Sequence, residues 1–172
     1  MSRRIGPEGR ETAAARSRER RIWYGYGQLG RAKKNGLGLF LHDTVRIYAE
    51  VSVLALPALL LITAYPTAAW WNAKGTGLLA WMTMTFVGTL VRGGWIRPLR
   101  SRSLGWVTLA PTLLALRLLY FNLAMVTAAY GGLAVATVVG WEPASALWAV
   151  GISTLAMLAF PATTHRWLGW RR

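Results

Sequence analysis

The chain has 172 residues, a length suited to one domain, yet 54% of them are hydrophobic and Lys plus Arg outnumber Asp plus Glu 20 to 6. It contains no cysteine, which excludes disulfides, thiolate metal sites and thiol nucleophiles. Charge and apolar content are separated along the chain, and a basic tail ahead of apolar runs of about 20 residues predicts a multi-span membrane protein rather than a soluble domain.

Eleven basic residues precede residue 51: Arg3, Arg4, Arg10, Arg16, Arg18, Arg20, Arg21, Arg31, Lys33, Lys34 and Arg46. Residues 1–36 read as a basic, glycine-containing cytoplasmic tail, and the first 21 residues are too polar to order in isolation. No apolar run begins before about residue 51, so a cleavable secretory signal is not expected. "GYGQLG" at 25–30 fits the Gly-x-Gly-x-x-Gly dinucleotide pattern. That site needs a βαβ unit, and the surrounding residues suit a flexible hinge better. Anionic headgroups attract such a tail by about 1 kcal/mol per base near the surface, and nucleic acid would attract it through counter-ion release. Tethering to a membrane favours lipid over nucleic acid.

"LGLFLHDTVRIYAE" at 37–50 places Leu37, Phe40, Leu41, Val45 and Tyr48 at helical spacing, with His42, Asp43, Arg46 and Glu50 on the other side. This predicts an amphipathic helix lying at the inner interface or continuing into the first span. Residues 51–162 then form the transmembrane domain. A first span covers 51–71, bent at Pro57 and Pro66, and "NAKGTG" at 72–77 reads as a tight turn. A second span covers about 76–91 and stops at a loop holding Arg92, Arg97, Arg100 and Arg102.

Residues 104–141 carry one charge, Arg117. A straight helix of that length would reach about 55 Å, too long for the bilayer, and no turn divides it. Pro111 suits a helix start, so "LGWVTLA" is placed along the inner interface and a third span at about 111–140. "WEP" at 141–143 makes a turn, a fourth span covers 144–162, and 163–172 form a basic cytoplasmic tail. The expected fold is therefore all-α, with four transmembrane helices, an interfacial helix before them and a basic disordered tail. Basic loops stay inside, which puts both termini in the cytoplasm. Trp70, Trp71 and Trp141 mark the outer boundary and Trp95, Trp106, Trp167 and Trp170 the inner one. The Ala-, Gly-, Arg-, Leu- and Trp-rich composition is that of high-GC bacterial membrane proteins, so the expected location is the inner (cytoplasmic) membrane.

No catalytic or metal constellation stands out. His42 and His165 are the only histidines and read as interfacial polar groups; no cofactor is expected. Ala124, Ala128, Gly132, Ala136 and Gly140 recur every four residues, with a shorter stripe at Ser145, Ala149 and Ser153. Such stripes let helices approach closely. Starting from Pro111, Arg117 lies about 9 Å into its helix and would snorkel to anionic headgroups with Arg92, Arg97, Arg100 and Arg102. A start at Leu104 would bury it and demand a partner, and no carboxylate within the expected spans is available. Thr83, Thr85 and Thr89 bond their own backbone or line a contact.

The preferred function is a non-enzymatic accessory or scaffolding subunit that assembles through the small-residue faces, as a homo-oligomer or with another membrane protein. The alternatives are a homo-oligomeric, holin-like pore lined by Thr83, Thr85, Thr89 and Asn122, and a membrane anchor that recruits DNA through its tail. An intramembrane enzyme ranks last.

Overall fold

A computed structural model describes residues 36–65, 73–99 and 111–169. Among them the chain forms five helices and no strand: α1 (Gly36–Leu54), α2 (Leu56–Thr63), α3 (Ala73–Gly93), α4 (Pro111–Val139) and α5 (Pro143–Gly169). Two stretches are long and apolar enough to cross a bilayer, Leu113–Val139 in α4 and Pro143–Thr164 in α5; α1 and α2 pass together as a pair bent by 67°. The basic tail, the "GYGQLG" hinge, Arg100, Arg102, the 104–110 approach and Trp70, Trp71, Trp106 and Trp170 lie outside the described residues. So do the side chains of His165 and Trp167.

Side-chain contacts give the direction of each helix. Asp43 meets Arg92 and Ser52 meets Trp81, so α1 and α3 are antiparallel. Glu50 meets Arg117, and Leu54 and Ala58 meet Asn122, so α1–α2 and α4 run parallel. α3, which touches α4 where Thr76 reaches the Ala129 carbonyl, therefore opposes α4; α5 opposes it too, since Trp148 donates to the Thr127 carbonyl and Tyr120 to the Ala156 carbonyl. The bundle alternates in direction, and the starts of α1 and α4 share one end with the finishes of α3 and α5.

α1 is inverted relative to a water-soluble amphipathic helix. Asp43 is 4% exposed and Glu50 is turned largely inward, whereas Leu37, Leu41, Val45, Tyr48 and Val53 are exposed. It also runs unbroken through residue 50, where the sequence placed the boundary between interfacial helix and first span. The break falls instead at Ala55, one turn later. Pro57 has no N–H for the carbonyl one turn back and occupies the first turn of α2, a position proline accepts.

The stretch expected as a tight turn is helical from Ala73. Ala73, Thr76 and Gly77 are buried there, and a Cβ on Gly77 would sit 2.7 Å from Ile62 Cγ2. Close packing against α2 outweighs the poor helix propensity of two glycines, which amounts to about 1 kcal/mol each. Helix α5 likewise continues past 162, where a tail was expected, to Gly169. Its Pro161 has no N–H to donate to the Met157 carbonyl one turn back, and the neighbouring Leu158 carbonyl accepts a hydrogen bond from Leu99 N–H at 2.9 Å. The interior is filled by Ile47, Val51, Met84, Phe121, Met125, Met157 and Phe160, all fully buried. Tyr120, Phe121 and Phe160 form an aromatic cluster with ring centroids 5.1–6.3 Å apart, Phe160 tilted against the other two and Tyr120 edge-on to Phe121.

Candidate functional site: a polar seam inside the bundle

Two ion pairs link α1 to the helices beside it. The first is Arg92 Nε to Asp43 Oδ1 at 3.3 Å, with His42 Nδ1 a further 3.7 Å from the same oxygen. The second is Arg117 Nη1 to Glu50 Oε1 at 3.1 Å. Arg117 is 5% exposed. The charge of Arg46, on the surface of α1, acts on both buried guanidinium groups. α1 therefore contributes acid, base and acid in sequence (Asp43, Arg46 and Glu50), while α3 and α4 each contribute one arginine.

This corrects the expectation for Arg117, which turns into the bundle instead of snorkelling to headgroups. Its partner is Glu50, a residue assigned from sequence to the outer side of an interfacial helix. The reason is the continuity of α1: the two turns from Asp43 to Glu50 carry the carboxylate down beside α4. Arg92 is similarly engaged by Asp43, while Arg97 remains exposed. Removing one member of such a pair strands a buried charge, whereas the intact pair adds little net stability.

Asn122 occupies the helix break. In an uninterrupted helix the Ala58 N–H would donate to the Leu54 carbonyl. Here Ala58 N–H donates to Asn122 Oδ1 at 2.7 Å, and Asn122 Nδ2 donates to the Leu54 carbonyl at 2.7 Å and to its own Leu118 carbonyl at 2.6 Å. The carboxamide is thus spliced into one backbone hydrogen bond, keeping donor and acceptor satisfied across a 67° bend. A pore-lining role was one expectation for Asn122, but its carboxamide is committed to the α1–α2 break and to its own helix.

The other residues singled out from sequence divide by location. Thr83 donates to the Leu79 carbonyl and Thr89 to the Thr85 carbonyl, each at 2.7 Å. Thr85 and Thr89 are buried within the bundle and Thr83 partly so. Ala124, Ala128 and Gly132 on α4 are buried, as are Ser145, Ala149 and Ser153 on α5. The two stripes meet at Gly132, where an added Cβ would lie 3.0 Å from the Ser145 carbonyl oxygen. Ala136 is half-buried, and Gly140 leaves the stripe with φ +68°, ending α4 in the left-handed conformation that glycine tolerates. Ser145, in the first turn of α5, donates its hydroxyl to the Glu142 carbonyl at 2.7 Å.

Sequence reasoning missed the two acids, Asp43 and Glu50. The available signal was their spacing of seven residues on one helical face, with Arg46 between them and leucine, valine and tyrosine opposite. That pattern fits a lipid-facing helix with a polar interior as well as a surface helix. No group of three or more His, Asp or Glu side chains among the described residues could hold a metal ion.

No curated protein and no solved structure matches the chain. A family model matches residues 34–167, a stretch that begins just before α1 and ends two residues short of the end of α5. The chain belongs to that family, described as a domain of unknown function (DUF8215).

Proposed function

We propose that the protein crosses the bacterial inner membrane four times, with both termini in the cytoplasm, and acts as a non-enzymatic accessory or scaffolding subunit. The observation that carries this reading is the inversion of polarity. Charged and amide side chains of α1, α3 and α4 are turned inward and tied to one another. The outward faces carry Leu37, Leu41, Val45, Leu78, Met82, Phe86, Leu119, Leu123, Leu147 and Leu155. Hydrocarbon favours that arrangement, and buried ionisable groups there pair with one another.

On this reading α1 and α2 form a broken first crossing. α3, whose 21 residues span about 31 Å, is the second. Its small and hydroxyl-bearing residues face inward while Leu78, Met82 and Phe86 face lipid. α4 and α5 complete an up-down-up-down bundle, with Arg92, Arg97 and Arg166 at the basic, cytoplasmic end. The small-residue stripes are largely used between α4 and α5, so a partner would bind the exposed leucine and aromatic faces instead.

Cross-linking in native membranes on a C-terminally tagged chain tests the proposal. A stoichiometric foreign membrane protein is the expected capture. A ladder of this chain alone, together with ion leak from liposomes holding the pure protein, would replace the subunit reading with a homo-oligomeric pore.

A further inference from the structure

Glu50 and Thr85 share one level of the bundle. Counted from the Asp43–Arg92 contact, each lies seven residues, about two turns, further in along its own antiparallel helix. Thr85 also faces α1: Trp81, Thr85 and Arg92 fall on one stripe of α3 by helical spacing, and both flanking members touch α1. Three atoms of this seam are enclosed yet make no directed hydrogen bond with any described residue: Glu50 Oε1, Thr85 Oγ1 and, nearer the end, Arg92 Nη1. Glu50 Oε1 has the close charge contact with Arg117, but not an aligned N–H.

Enclosed polar atoms in folded proteins nearly always have a partner, either protein or water. The chemistry of the three selects among ligands. An anion would suit the hydroxyl and the guanidinium but would be repelled by Glu50 and Asp43; a cation would be repelled by Arg46, Arg92 and Arg117. Water donates to the carboxylate and accepts from the other two, which is how buried water usually binds.

We propose that the seam between α1 and α3 is a hydrated inlet, entered at the Asp43–Arg92 end and reaching Glu50, so that the Glu50–Arg117 pair is in contact with water at mid-membrane depth. Its ligand is water, and through water the proton. Beyond Glu50 the path closes where the Asn122 carboxamide fills the α1–α2 break. The inference rests on the four-crossing reading above.

The absence of cysteine from the sequence makes single-cysteine labelling clean. The probe is methanethiosulfonate ethylammonium, applied to inverted membrane vesicles that expose the cytoplasmic face. It reacts with thiolates, and a thiol in apolar surroundings stays protonated. Thr85→Cys is expected to react at least about tenfold faster than Phe86→Cys, its neighbour on the exposed apolar face, because only the former meets water. Arg97→Cys sets the rate for a fully wet cytoplasmic site. Thr89→Cys, one turn nearer the mouth, provides the same comparison should Thr85→Cys fail to fold. Equal, slow rates at the seam and at Phe86→Cys beside a fast Arg97→Cys would overturn the inlet and leave the four crossings standing. Fast labelling of Phe86→Cys would overturn both.

Discussion

Arg117 and Glu50 sit where a lone charge is expensive, and the asymmetry of that cost gives a direct test. Arg117→Leu leaves a buried carboxylate and is expected to cost about 3–5 kcal/mol. The double change Arg117→Leu with Glu50→Leu should recover most of that loss, because it removes both charges together. Thermal unfolding in detergent reports both; equal instability of single and double variants would mean that the pair is not a unit. Asn122→Ala removes the bridge between Leu54 and Ala58 and exposes two backbone groups to an apolar interior. A loss of about 1–3 kcal/mol is expected in the same assay. Asn122→Asp keeps the acceptor for Ala58 N–H but loses the donor to Leu54, so it should not restore the wild-type melting temperature.

At the level of elements, the α4–α5 hairpin depends on close approach. Gly132→Val would drive a branched side chain into the Ser145 backbone, an overpacking expected to cost about 1–3 kcal/mol. Gly151→Ala makes the contrast, since a Cβ there meets nothing within 4 Å, and its melting temperature should match or exceed that of wild type because alanine is the better helix former. α1 shows what was and was not legible before the structure. Its helical period was plain from Leu37, Leu41, Val45 and Tyr48. Which face turned inward was not, because periodicity gives two faces without naming the solvent outside. The 73–77 stretch misled for a different reason: two glycines read as a turn locally, and only the neighbouring Ile62 side chain explains why they are helical.

For the whole molecule, the all-helical character and the apolar lengths of α4 and α5 were legible in composition and spacing. The packing that joins residues about 65 apart in sequence was not, and it supplies most of the polar seam. The alternating helix directions make a topological prediction. On the four-crossing reading with both termini inside, an impermeant maleimide applied to sealed, right-side-out vesicles should label Gly140→Cys and spare Arg97→Cys, with the pattern reversed in inverted vesicles. Labelling of both from one side would break the four-crossing arrangement. Deleting residues 1–34 removes net charge +7, from ten bases and three acids. If the proposed orientation holds, the arginines that remain between residues 92 and 102 (Arg92, Arg97, Arg100, Arg102) should keep it unchanged.

The spliced hydrogen bond at Asn122 also has a temporal side. Leu54 and Asn122 are separated by 68 residues, so the groups left open at the Ala55 break, and the carboxylate of Glu50, emerge from the ribosome long before anything that can satisfy them. On the four-crossing reading, the first hydrophobic segment cannot settle into the lipid in its final shape on its own. It must wait at the insertion machinery, or sit unbent in the membrane, until α4 arrives. The opening part of the chain is finished only when α4 arrives, and any change that slows that arrival prolongs the interval in which a half-built protein is open to quality control.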